Sequence, residues 1–316
     1  MENKGHINDA PYMQRLSDFI SQEYNLIAKS ITPAARGYYG ETWRLDTTDK
    51  SYFAKVDYFM RHQIIFQNSL SVIEYLCDNG IGFIPKIIKT KSNMLYSEFD
   101  SATVGLFEWI DGTNIETDET KVAEYQMLCE IYPLTKQGFG IPTMTFSNSV
   151  VVQVYEKWES LKDTHQNNVI LSTLEKYREN LSHCASRLAH FSSVCRMNTD
   201  HFYFTHGDAG GNFFVGNDRN YFVDWDEVIY APIERDAWVM CCHDWARALF
   251  NDTLNKNNIP YQLRMERLAY YCYYMLFWYL GEFLADIEKP DIAKIIDEYL
   301  DETCWIWDRV RFADKV

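Results

Sequence analysis

The sequence predicts an α+β protein of two lobes, a small antiparallel sheet carrying one helix and then a largely helical region. Three observations carry that expectation. Short β-rich runs crowd the chain before residue 110, while after residue 114 apolar residues recur almost everywhere at helical spacing. No Pro-rich, Gly/Ser-rich or like-charged tract separates the two halves as a linker. With 316 residues the chain is long for one core and short for two independent ones, which suits two lobes sharing an interface. The expected division is a lobe of 1–108 and a lobe of 109–316.

The elements follow in order. Residues 8–26 open with Asn8 and Asp9, place Pro11 in the first turn and continue at helical spacing, the pattern of a capped amphipathic helix. Runs at 39–45 and 52–56 flank the turn DTTDK and read as strands; a helix over 61–77 stops at Asn79 and Gly80. Strands at 86–90 and 94–98, joined by KSN, and a third at 103–109 complete the sheet. Beyond the connection DGTN, helices are expected at 118–136, 150–162, 168–195, 235–250, 259–288 and 291–311, interrupted only around 203–226.

Composition excludes some functions. With 45 acidic against 30 basic residues the net charge is -15, which repels a phosphate backbone and argues against nucleic acid or an anionic membrane as partner. The eight cysteines show no metal-ligand spacing, and Cys241, Cys242 and His243 read as core; reduced thiols and a polar N-terminus without signal-peptide character place the protein in the cytoplasm. The nearly uncharged run 268–284 carries five tyrosines and Glu282 and is short for a span of about 20 apolar residues, so it reads as a buried helix.

The chemistry concentrates in THGDAGGNFFVGNDRNYFVDWD, 205–226. Two apolar triplets flank GNDRN, which predicts a hairpin centred on Asp218 with Asn212 opposite Asp224. An amide oxygen and a carboxylate converging there suit a hard cation such as Mg²⁺. Asp226 would share that face if the strand continued, and Asp208 lies on the loop leading in. Gly207, Gly210 and Gly211 allow backbone conformations closed to other residues, Gly210 being expected to need φ > 0. His206, close to an acid, suits an orienting hydrogen bond better than general-base work. Upstream, Lys55 in SYFAKV shares a face with Phe53 by alternation and should point inward, where a nucleotide phosphate would match its charge. Gly37 and Gly40 precede that strand; backbone amides covering phosphates and an ordinary hairpin turn both fit them.

Lys55 on its strand, LFEWIDG at 106–112, HGD with a following Asn, and DWD together resemble the aminoglycoside phosphotransferase and choline kinase group of kinase-like enzymes. The run over 203–236 is most similar to spectinomycin-phosphotransferase-like members; the resemblance is good over 37–112 and thin elsewhere. It implies a bilobal protein-kinase-like fold, with Asp208 as catalytic base, Asn212 and Asp224 holding Mg²⁺, and Lys55 pairing the α/β-phosphates. It also implies adenine binding by backbone near Glu108 and Ile110, and bracing of the catalytic loop by Asp236. Two departures stand out: three residues rather than four separate Asp208 from Asn212, and the helix glutamate that pairs the strand lysine is matched best by Gln67, with Glu74 two turns further on.

The expected activity is therefore a small-molecule kinase that moves the γ-phosphoryl group of ATP or GTP, with Mg²⁺, to a hydroxyl of a cationic acceptor. Only eleven residues, none Ser or Thr, separate Asp224 from Asp236, leaving no room for a phosphorylatable activation loop and so arguing against a protein substrate. A nucleotide-binding pseudokinase and a metal-dependent hydrolase built on His206, Asp208, Asp224 and Asp226 are the alternatives. For the acceptor, two aromatic and acidic stripes, Tyr271, Met275, Trp278 and Glu282 and then Glu298, Asp301 and Trp305, favour an ammonium through cation–π contacts.

Overall fold

Asp9 caps the first helix, α1 (Ala10–Glu23): its carboxylate accepts the Tyr12 amide, and Pro11 sits in the first turn, where a missing N–H costs nothing. The computed structural model describes residues 6–34, 40–115, 117–162, 168–287, 289 and 291–316. Next comes a five-stranded antiparallel sheet of β1 (Ser30–Pro33), β2 (Gly40–Asp46), β3 (Ser51–Asp57), β4 (Ser97–Phe99) and β5 (Ala102–Glu108), in the order β1-β2-β3-β5-β4. Alternation sorts its side chains. Tyr52, Ala54 and Val56 of β3 join Trp43, Leu45, Val104 and Leu106 in a core closed by Leu16 and Ile20 of α1. Phe53 and Lys55 point the other way and line a cavity with Phe66 of helix α2 (Met60–Asp78). Gly105 lies opposite Lys55 in the register and leaves room for Phe66: a Cβ there would stand 2.8 Å from that ring.

The two strands expected at 86–90 and 94–98 are shorter than the pattern suggested. Residues 86–88 only brush β5, through Ile88 N–H to Leu106 O and Glu108 N–H to Lys86 O. Thr90 then bonds Met94 through both its amide and its hydroxyl, pulling 90–94 into a tight turn, and pairing resumes at Ser97. DGTN, expected as a connection, forms β6 (Gly112–Asn114), which pairs with β8 (Phe213–Gly216); β8 pairs in turn with β9 (Asn220–Phe222). Two further short strands, β7 (Tyr203–Thr205) and β10 (Ile229–Ala231), pair with each other.

Several expected helices are split. Helix α3 (Asp118–Ile131), opened by a Thr117/Thr120 capping box, gives way to a 3₁₀ turn at Pro133. After α4 (Ser149–Leu161), the run 168–195 divides at Tyr177 into α5 (Asn168–Lys176) and α6 (Arg178–Arg196). The 235–250 run becomes α7 (Glu234–Cys241) and α8 (Asp244–Lys256), and Pro260 keeps 259–264 out of α9 (Met265–Ala285). Asp301 accepts the amide and hydroxyl of Thr303, forming a turn that separates α10 (Ile292–Leu300) from α11 (Trp305–Ala313). Glu298, Asp301 and Trp305 are therefore not one helix face.

Helix α9 packs against α4, α6, α7, α10 and α11, which explains its apolar character on nearly every side. Tyr271 and Met275 are buried in that core, leaving Trp278 and Glu282 half-buried. Cys241 and Cys242 are free thiols in the same region, and no described helix is long and apolar enough to cross a membrane. Two compact units result: of the described residues, the helical one comprises those in 144–202 and 231–316, and the sheet-bearing one those in 6–143 together with 203–230. This partition groups the HGD and DWD runs with Lys55.

Candidate active site

Strand β7 delivers the chain into the HGD loop, where His206 is fully buried. Its Nδ1 accepts the Asp208 amide at 3.2 Å and its Nε2 donates to Val223 O at 2.8 Å, so the proton resides on Nε2. The ring stacks on Phe222 and meets Trp225 edge-on. Both hydrogen bonds orient backbone, tying the loop to the strand that leads to Asp224. Gly207 has φ +86°, and a Cβ there would come within 2.1 Å of Glu227 O, so no other residue fits.

Asp208 is exposed at the loop tip. Asn212 folds back on it, its side-chain amide donating to Asp208 O at 2.7 Å and approaching the carboxylate at 3.3 Å. The left-handed glycine of the pair is Gly211, with φ +98°, rather than Gly210. One residue after the expected position, the chain reverses just before Asn212, and this lets the short loop close.

The hairpin register differs by one from the expected pairing. Gly216 N–H bonds Arg219 O, closing a two-residue turn at Asn217 and Asp218, so that Phe213 faces Phe222 and Phe214 faces Tyr221. Asn212 then lies beside Val223, whose amide donates to Asn212 O at 3.0 Å. Asp224 does not continue the strand either. It adopts φ 62°, ψ 58° and starts a 3₁₀ turn at Trp225–Glu227. A non-glycine residue in this region carries strain of about 1 kcal/mol or more, tolerated best by Asn and Asp. The turn, and not a continuing strand, brings Asp226 with Asp224 to Lys55.

Lys55 receives both acids. Its Nζ donates to Asp224 Oδ1 at 2.8 Å and to Asp226 Oδ2; Lys55 and Asp226 are buried, whereas the Asp224 side chain is half exposed. Burial works against the lysine's charge, but Asp224 and Asp226 outweigh it and hold the ammonium above its ordinary range. Lys55, donating to Asp224, keeps that carboxyl below the usual carboxylate range. Asp226, buried and beside Asp224, is pushed well up.

These groups line a cavity of about 380 Å³ whose lining also includes Phe53, Phe66, Phe107, Glu108, Ile110, Asn212 and Phe214. The expected hinge residues Glu108 and Ile110, the lysine, the asparagine and both DWD acids are thus brought together. Others are not. Gln67 donates its side-chain amide to Thr103 Oγ1 at 2.8 Å, across the helix–sheet contact, and does not pair the lysine. Gly40 belongs to β2, where a Cβ would collide with Val56 O at 2.0 Å, so it serves strand packing; Gly37 lies outside the described residues. Asp236 is buried on α7, in the helical unit.

One site neighbour escaped the sequence reading. His62, in the first turn of α2, is buried with Nδ1 2.6 Å from Asp57 Oδ2 and Nε2 3.8 Å from Asp226 Oδ2. The available signal was Asp57, two residues after Lys55 on the same strand face and just ahead of a helix.

Among the described residues no group of three or more His, Cys, Asp or Glu side chains could hold a metal ion. Mg²⁺ does not require one, since it retains several waters and binds through one or two carboxylates plus substrate phosphates. A half-exposed Asp224 on a segment bonded to Asn212 fits that donor set.

No family model and no curated protein matches the chain in sequence. Solved structures match in fold. A spectinomycin phosphotransferase in complex with ADP and spectinomycin is 18% identical, with 96% of this chain and 98% of that chain covered and a TM-score of 0.78. A choline kinase from Streptococcus pneumoniae is 14% identical over 97% and 100% of the two chains, TM-score 0.60. An aminoglycoside phosphotransferase from Alicyclobacillus acidocaldarius is 15% identical over 90% and 93%, TM-score 0.54. The chain has the kinase-like fold of these proteins.

Proposed function

We propose that this protein is a small-molecule kinase of the aminoglycoside phosphotransferase and choline kinase group, moving the γ-phosphoryl group of ATP or GTP to a hydroxyl of a cationic small molecule. The observation that carries the reading is Lys55, a buried ammonium held by both acids of DWD in the lining of a cavity that also receives the Glu108–Ile110 segment. A hydrolase built on the same acids has no use for that lysine. Nor does Gln67 argue for a dead enzyme, because it stands on Thr103 and its missing charge is not missing at the lysine.

In this reading residues 1–108 bind nucleotide and 109–316 supply catalysis and the acceptor site. Backbone at Glu108 and Ile110 takes the base, and Lys55 pairs the α/β-phosphates. Asp208 accepts the acceptor's hydroxyl proton as its oxygen bonds the γ-phosphorus and the bond to the bridging β–γ oxygen breaks, leaving a nucleoside diphosphate. Asn212 and Asp224 would hold Mg²⁺, which when bound neutralises charge on the phosphate oxygens. The similar structures support an amine-bearing acceptor, since spectinomycin and choline are the alcohols named with them, and a net charge of -15 agrees. A cytoplasmic setting supplies the nucleotide.

Ligand-dependent melting tests the reading. Mg²⁺ with ATP or GTP at a hundred times Kd should raise Tm by roughly 5 °C, and Lys55→Ala should abolish the shift. No shift with either nucleotide at millimolar concentration would overturn it.

A further inference from the structure

In the proposed kinase, helix α2 lacks a carboxylate on the lysine, yet it still reaches the site at two points on one face. Ser69 Oγ donates to Asp226 O at 3.1 Å, and two turns earlier His62 presents Nε2 to Asp226 Oδ2 at 3.8 Å and to Glu227 Oε1 at 3.6 Å. The 3₁₀ turn Trp225–Glu227 packs directly on α2. His62 is itself anchored. Asp57, fully buried at the end of β3, receives its Nδ1 at 2.6 Å on one oxygen and the Phe59 amide at 2.8 Å on the other.

Strand β3 thus carries Lys55 and Asp57 two residues apart, and the helix that follows returns His62 between Asp57 and the acid that grips Lys55. We propose that His62 is a positioning residue of the phosphoryl-transfer site: anchored by Asp57, it fixes Asp226 for its bond to Lys55 and so couples helix α2 to the nucleotide-binding lysine, in place of a helix carboxylate gripping the lysine directly. This inference rests on the kinase reading.

The charges agree with the geometry. Burial opposes a charge on His62, but Asp57, Glu227 and Asp226 overcome it and hold the imidazole up at about 9, so it is an imidazolium at neutral pH. Asp226 Oδ2 is buried between Lys55 Nζ and His62 Nε2, so the imidazole and the ammonium hold the same carboxylate oxygen from two elements. Losing His62 leaves that carboxylate without its contact from α2 and so frees it to move relative to Lys55.

A double-mutant cycle on Mg²⁺–nucleotide affinity tests the coupling, using wild type, His62→Gln, Asp226→Asn and the double variant, with the melting temperature of each protein without nucleotide as companion measurement. His62→Gln should fold and lose about tenfold in affinity, in the range seen when a partner that orients a ligating group is removed. Asp226→Asn should lose at least as much, and the double variant no more than the worse single one. Multiplying losses, or a lowered melting temperature with unchanged affinity, would make His62 merely structural and overturn the inference while the kinase reading stood. If wild type binds neither ATP nor GTP, the kinase reading falls first and this inference with it. Should His62→Gln not fold, His62→Asn, which keeps a short donor toward Asp57, enters the same cycle with the same criteria.

Discussion

Asp208 is exposed at the tip of its loop, while His206, two residues earlier, is fully buried with both ring nitrogens bonded to backbone. That contrast separates their roles. An imidazole committed at Nδ1 and Nε2 holds the loop in place, whereas the exposed Asp208 is open to solvent, as the proposed general base must be. We expect Asp208→Asn to lower transfer by about 10²- to 10⁴-fold while nucleotide affinity stays within about twofold, because a general base touches the acceptor and not the nucleotide. Equal loss of both quantities, measured by steady-state kinetics and nucleotide titration, would reassign Asp208 to structure or metal. Lys55, Asp208, Asn212 and Asp224 were legible as residues because their types and spacing point to chemistry. His62 was not, because a lone histidine in an amphipathic helix carries no such signal until the fold sets it 2.6 Å from Asp57.

Elements show where pattern reading stops. Alternation placed Lys55 on the inward face of β3, since a buried face dictates which side chains share it, and the turn signals DTTDK and GNDRN located the β2–β3 and β8–β9 hairpins, whereas KSN did not join two paired strands. Register depended on one hydrogen bond, Gly216 N–H to Arg219 O, which no composition rule singles out from a longer loop. The reach of Asp226 depended on Asp224 leaving the strand in a left-handed conformation, a choice made by the surroundings rather than by local propensity. The HGD loop follows the same logic. Gly211→Val should abolish transfer with a larger loss than Gly210→Val, since a β-branched side chain resists φ near +98°. Equal effects in a transfer assay would show that Gly211 has no special role. On α2, Gln67→Glu should leave nucleotide affinity within about twofold and Tm within about 2 °C, because the residue stands on Thr103 and not on Lys55. A clear gain in affinity would put it at the lysine after all.

Across the whole molecule, a chain with no sequence match to a curated protein takes a fold that two kinds of small-molecule phosphotransferase also take, one bound to spectinomycin and one named for choline. Fold alone does not choose a reaction; the site does. In the sheet-bearing unit a buried lysine, two acids and an asparagine line one cavity, and the exposed Asp208 meets that asparagine. The most direct measurement is transfer of a γ-phosphate label from ATP or GTP, with Mg²⁺, to a panel of hydroxyl compounds that includes spectinomycin, choline, other amino alcohols and neutral sugars. The account predicts a labelled phosphomonoester of at least one amine-bearing alcohol, formed by wild type and absent with Lys55→Ala and Asp208→Asn. Label released only to water, at a rate unchanged by Lys55→Ala, would contradict it.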